Sequence, residues 1–234
     1  MSAIQLLQEN YVTNELVQEA MAAFNDDMKE LAHRQGLASL IDYLNNSDFF
    51  TSPASAKNHM GCRCGLLVHS YHVRCQALKL MNSNFQDQVN REEVLVASWF
   101  HDINKTGTYK TYTKNAKFEG PPLRAGKFEW IQMEAYAYNT EDEFPMGHGE
   151  KSVFRLMKLG FFLTDSEMAA INYHMGYYHV AGCFEKTNSL QAAYDRYPLA
   201  LLIHIADMLA SFKDDTQQMI KYTPEEILGW YRKI

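Results

Sequence analysis

Histidine and aspartate recur along this chain in places where packing has no use for them. His69 and His72 lie three residues apart in GLLVHSYHV, a segment already supplied with Leu66, Leu67 and Val68 for a buried face. His101 and Asp102 are adjacent at the end of an apolar run in ASWFHDINKTG, with Lys105 just beyond them. Asp207 interrupts LALLIHIADMLA, which is apolar almost all round, so its carboxylate has to be paired or bound to a metal to avoid a cost of several kcal/mol. His148 stands in GHGEKS, and His174 comes just before Gly176. Neutral imidazole nitrogens and carboxylate oxygens suit zinc, iron, manganese, nickel or cobalt without any thiolate. Ions held in this way polarise a substrate oxygen and activate water.

The elements that must position these residues are mostly helical. Apolar residues recur every three to four positions in residues 1–46, as in Leu16, Ala20, Phe24, Met28 and Leu31, and helix is expected again over about 65–82 and 91–102. SDFFTSPASAKNHMGCRC, residues 47–64, reads as a loop. Between 107 and 146 the glycines and prolines punctuate stretches such as TYKTYT and KFEWIQ, which predict a small β-hairpin inserted in a helical domain. Its aromatic residues Tyr109, Tyr112, Phe128 and Trp130 are expected to cover the core. Thr164 with Glu167, and Thr223 with Glu226, have capping-box spacing, Gly160 and Gly176 mark helix stops, and Pro198 suits the first turn of a helix.

Composition limits the partners. With 47% hydrophobic residues in 234, the chain can bury a proper core, and its net charge of −6 is spread without basic blocks. A surface that binds long nucleic acid by neutralising many phosphates is not expected. No apolar run approaches a membrane span, and MSAIQLLQEN does not read as a secretory leader, so a cytoplasmic protein with reduced thiols is expected. Cys62 and Cys64 form C-x-C without a matching second pair, which is a poor basis for a zinc knuckle.

Taken in order, His69, His101-Asp102 and Asp207, with their surroundings GLLVHS, HDINK and HIADMLAS, resemble the HD superfamily of metal-dependent phosphohydrolases over about residues 49–211. His148 and His174 fall where the two-metal branch of that superfamily, which includes the HD-GYP phosphodiesterases, places extra histidines, although no GYP follows here. FFTSPASAKNHMGCRCGLLVHS is also similar to the segment leading into the HD domain of bacterial 3′→5′ exoribonucleases, but residues 1–46 are too short and too helical for the OB-like domain of those enzymes. Asn104 occupies the glycine position of the usual HD-x-G-K pattern.

The resemblance implies an all-α HD domain over 47–215 with a small β-hairpin insert at about 107–146, an N-terminal helical segment over 1–46 packed on it, and a C-terminal helix over 216–234. It implies two divalent transition ions, one held by His69, His101, Asp102 and Asp207 and the other by Asp102, His148 and His174, with Asp102 bridging. The expected activity is hydrolysis of a phosphate ester in a nucleotide or short oligonucleotide, with Asp102 and Lys105 in the catalytic machinery. Lys105, Lys57, His59 and His179 are candidates to touch the substrate, while His72 and His204 read as packing or supporting residues. The same ligand set also serves HD-fold di-iron oxygenases, and a non-catalytic nucleotide-binding sensor is a third reading. Neither the oligomeric state nor the choice among manganese, iron, nickel, cobalt and zinc is legible.

Overall fold

The computed structural model describes residues 8–119, 123, 126–139, 146–180 and 184–231, apart from the side chains of 119, 179, 180, 184–187, 224, 228, 230 and 231. After a short strand β1 (Asn10–Tyr11) come α1 (Asn14–Glu30), α2 (Leu37–Asn46), α3 (Gly65–Ser83) and α4 (Arg91–Phe100). A 3-10 turn, Ile103–Lys105, leads into β2 (Tyr109–Glu119) and β3 (Phe128–Tyr138). Helices α5 (His148–Lys158), α6 (Asp165–Tyr173), α7 (Tyr177–Val180), α8 (Phe184–Arg196) and α9 (Pro198–Leu209) follow. A π-helical turn, Ala210–Asp214, joins α9 to α10 (Asp215–Gln218), and β4 (Ile220–Lys221) and α11 (Pro224–Tyr231) complete the described chain. The molecule is therefore mostly helical with a small antiparallel hairpin.

Helix α1 starts where the Thr13 hydroxyl accepts from the Leu16 N–H, and it buries Leu16, Ala20, Phe24 and Met28 along one stripe. Asp27 lies on the same stripe, and its carboxylate accepts from Arg74 Nε and Nη2 and from Trp99 Nε1, each at 2.8 Å. A buried charge so fully paired ties α1 to α3 and α4. The run from Val94 to Phe100 in α4 is buried on every side, and α1, α3, α6 and α9 pack around it. Both predicted capping boxes form, Thr164 with Glu167 and Thr223 with Glu226, and Pro198 occupies the first turn of α9.

Three expectations need correction. The N-terminal helical segment is two helices broken by a turn at Gly36, whose φ of +84° suits glycine and whose Cα lies so close to the Gly160 carbonyl that a Cβ would be 2.0 Å from its oxygen. The hairpin is longer than its sequence signal, with eleven residues in each strand paired from Tyr109↔Tyr138 to Glu119↔Phe128. Lys, Asn, Ala and Glu are poor strand formers alone, and the cross-strand ladder carries them. Third, the aromatic residues do not cover the core as expected. Tyr112, Phe128 and Trp130 are exposed and Tyr109 is half-buried, while Ile131 and Met133 are buried on one face and Tyr136, of opposite parity, is buried on the other, where its hydroxyl accepts from Gln8. Each face of the ladder thus buries a side chain, and aromatic content does not decide which residues are covered.

Cys62 belongs to a small apolar cluster with Val12, Leu16, Ala54, Met60 and Val68, and burial pushes its thiol up to about 12. No cysteine joins a candidate metal cluster among the described residues. Cys183 lies outside the described residues. No described helix is long and apolar enough to cross a membrane. The segment expected as a C-terminal helix also contains β4, which pairs with β1.

Candidate metal centre

Six elements deliver side chains to one buried point. Helix α3 contributes His69, the end of α4 contributes His101 and Asp102, and the 3-10 turn contributes Lys105. His148 is the first residue of α5, His174 caps the C-terminus of α6, and Asp207 lies in the last turn of α9. His69 Nε2 is 3.2 Å from His101 Nε2, 3.2 Å from Asp207 Oδ1 and 3.5 Å from Asp102 Oδ2. His148 Nε2 and His174 Nε2 are 2.6 and 3.5 Å from the other oxygen of the same carboxylate, Asp102 Oδ1. Three groups result among the described residues, His69–His101–Asp207, Asp102–His148–His174 and, behind the first, His59–His69–Asp215, and each could hold a metal ion.

The hydrogen bonds on the far side of each ring decide what the near side can do. His101 Nδ1 donates to the Ser98 carbonyl at 2.9 Å and His174 Nδ1 donates to the Ile171 carbonyl at 2.7 Å. A carbonyl only accepts, so in both neutral rings the proton is on Nδ1 and Nε2 carries a lone pair. His69 Nδ1 donates to Asp215 Oδ2 at 2.8 Å, which fixes its ring in the same way. Two lone pairs, on His69 Nε2 and His101 Nε2, then face each other across 3.2 Å, and His174 Nε2 is buried with no hydrogen-bond partner. Such an arrangement is relieved either by a proton on one of the rings or by a metal ion between them. Ligand atoms about 2.1 Å from an ion and at right angles about it lie about 3 Å apart, so the spacings fit. Histidines oriented by carbonyl and carboxylate acceptors are also what a metal site needs behind its ligands.

Electrostatics make the same demand. Burial disfavours a charged His69, but Asp215 and Asp207 outweigh it and push the imidazole up to about 10, so a proton takes the place of the cation when no ion is bound. Burial works to raise the Asp102 carboxyl, yet Lys105, whose Nζ is 2.5 Å from Oδ2, together with His101 and His148 holds it well below the usual carboxylate range. Asp207 is likewise held low by His69 in spite of burial. His101 is pushed down by burial and stands ready as a neutral ligand, and His148 is pushed down likewise while its Nε2 donates to Asp102 Oδ1 at 2.6 Å.

No family model, curated protein or solved structure matches this chain. The functional reading therefore stands on the helical architecture and on these clusters, which are compatible with an HD-like fold.

Other singled-out residues separate into near and far. His59 sits beside His69, with ring centroids 5.3 Å apart, and its Nε2 is 3.4 Å from Ser211 Oγ. Lys57 lines a cavity of about 380 Å³ with Asn58, Tyr112, Lys114 and Lys221. The His179 side chain is outside the described set. His204 donates from Nδ1 to the His174 carbonyl at 2.7 Å and so supports the end of α6. His72 is buried and donates from Nδ1 to Asp215 Oδ1 at 2.6 Å.

Asp215 is the residue that sequence reasoning missed. Its two oxygens are taken by His69 and His72, burial notwithstanding, and these partners pull its carboxyl down to about 2. The three-residue spacing of the two histidines is explained by this shared partner. The π turn, Ala210–Asp214, immediately precedes Asp215, and its wider winding sets where Asp215 falls relative to Asp207.

Helix α5 reaches the centre because Gly149 lets it lie against α6, where a Cβ would be 2.1 Å from the Asn172 carbonyl oxygen. Gly149→Ala is expected to cost about 1–3 kcal/mol by overpacking and to draw the adjacent His148 away. Calorimetric melting and elemental analysis check this: the variant keeps the His69–His101–Asp207 ion and loses the second, and full retention of both would contradict the positioning role of the glycine.

Proposed function

We propose that this protein is a metal-dependent phosphohydrolase that cleaves a phosphate ester in a nucleotide or short oligonucleotide, with two divalent transition ions held by His69, His101, Asp102, His148, His174 and Asp207. The observation that carries the reading is the division of Asp102, whose Oδ2 faces His69, His101 and Lys105 while Oδ1 faces His148 and His174. One carboxylate shared in this way is suited to bridge two ions. The ions would lower the pKa of a water toward neutrality and polarise a phosphoryl oxygen.

The chain's own residues do the rest. His69, His101 and His174 are held in the ligating tautomer by Asp215, Ser98 and Ile171, so these three rings need no reorganisation when the site fills, whereas His148, whose Nε2 donates to Asp102 and whose Nδ1 faces the Asn104 amide, has first to give up that proton. Lys105, only 12% exposed, exchanges its contact with Asp102 for a phosphate oxygen and offsets the charge of the substrate. The half-exposed edge of the centre is at His148, whose side chain is 32% accessible, and the substrate approaches there. A negatively charged surface disfavours a long nucleic acid but leaves a small phosphate to these local cations.

The test is elemental mass spectrometry on protein purified without chelator or affinity tag, followed by phosphate-release assays on a nucleotide panel with manganese. About two ions per chain and chelator-sensitive release are expected. A fully loaded protein that releases no phosphate from any nucleotide would overturn the reading, and iron content with oxygen consumption would transfer the site to oxygenase chemistry.

A further inference from the structure

We propose that Arg155 receives a second anionic group of the substrate, so that the cavity beside His148 takes a nucleotide with phosphates on both sides of its ribose; this rests on the phosphohydrolase reading above. The cavity, about 720 Å³, is lined by Tyr43, Asn104, Thr106, Tyr138, His148 and Arg155, and its size is that of a small-molecule site. It adjoins the metal centre through His148 and is walled on the opposite side by the end of β3, which gives the inserted hairpin a part in the site.

Arg155 is the anomaly in this wall. Arg34, Arg74 and Arg91 each hold a carboxylate, from Glu167, Asp27 and Glu30 respectively. The Arg155 guanidinium instead donates to the Tyr43 hydroxyl and to the hydroxyl and carbonyl of Thr106, and its Nε is buried without a partner. All of its partners among the described residues are neutral. A half-buried cation with no counter-charge among those residues is costly unless an anion arrives to complete it. Asp48, the carboxylate among the lining residues, accepts the Gly107 N–H at 2.8 Å and forms no ion pair with Arg155 among the described residues.

Spacing selects the kind of substrate. His148 and Arg155 are seven residues apart on α5, about 10 Å along the axis, and helical side chains lean toward the N-terminus, which brings the guanidinium back toward His148. Lys151, between them, lines the same cavity. Neighbouring phosphates of a diphosphate share an oxygen and span too little of this distance, whereas phosphates on the 3′ and 5′ oxygens are separated by a whole sugar. Tyr43 and Tyr138 line the same cavity.

The experiment compares kcat/KM on adenosine 3′,5′-bisphosphate, adenosine 5′-diphosphate and the two adenosine monophosphates for the manganese-loaded wild type, Arg155→Gln and Arg155→Lys. The wild type is expected to prefer the bisphosphate, and Arg155→Gln is expected to lose about tenfold to a hundredfold on it, at least about ten times the loss on either monophosphate. Arg155→Lys, which keeps the charge, retains most of the preference. Equal losses on all substrates, or an Arg155-dependent preference for the diphosphate, overturn the proposal. So does a wild type without preference for the bisphosphate, whether or not the variants fold. Calorimetric titration with the bisphosphate separates the two readings: Arg155-dependent binding without turnover removes the hydrolase and keeps this pocket, and turnover of monophosphates with no dependence on Arg155 does the reverse.

Discussion

Asp102→Asn is expected to leave the helices in place, to abolish binding of a pair of ions and to cut phosphate-ester hydrolysis about a thousandfold or more. Asparagine keeps the shape of the side chain but can present only one oxygen, while Asp102 faces five groups with two. Its amide nitrogen would point a donor either at His148 and His174 or at His69, His101 and Lys105. In both orientations one set of ligands loses its shared anion. Far-ultraviolet circular dichroism, elemental analysis and phosphate release together check the outcome. A variant with two ions and undiminished turnover would remove the bridging role, and with it the mechanism.

Asp215→Asn should have the next largest effect, although Asp215 sits behind the ligands. Both of its oxygens accept, one from His69 and one from His72. An amide in the same place accepts from one histidine and donates to the other, and the ring that receives that donation must carry its proton on Nε2. Where that ring is His69, the lone pair facing His101 is lost. Metal affinity is expected to fall about tenfold to a hundredfold, the usual effect of removing an acceptor behind a ligating histidine. Competition with a calibrated chelator gives the affinity, and nitrogen chemical shifts of the His69 ring report the tautomer. An unchanged affinity together with an unchanged tautomer would mean that Asp215 only fills space.

Much of the helical frame could be read from periodicity and punctuation. Gly160 and Gly176 end turns in the left-handed region, Thr164 and Thr223 cap as their spacing predicts, and Asp207 is marked by its apolar surroundings, with His69 as the cation that such a burial requires. The histidines and aspartates were legible because they break strong hydrophobic patterns. Asp215 was not, since it lies in KDDTQQ, where a carboxylate looks like ordinary solvated surface. Arg155 gave no signal, because a lysine or arginine near the end of a helix is expected from the dipole alone. Its lack of a carboxylate becomes visible only in three dimensions.

The link between His69 and Asp215 also sets an order in time. The two residues are 146 positions apart. A ribosome adding about 5–20 residues each second makes the second roughly 7 to 30 s after the first. Through most of that interval His69 exists without Asp207 opposite it or Asp215 behind it, so the nascent chain has only part of the His69–His101–Asp207 group. Metal that meets the chain before Asp215 is made finds that group incomplete, and an ion there would be gained only after Asp215 has folded back onto α3.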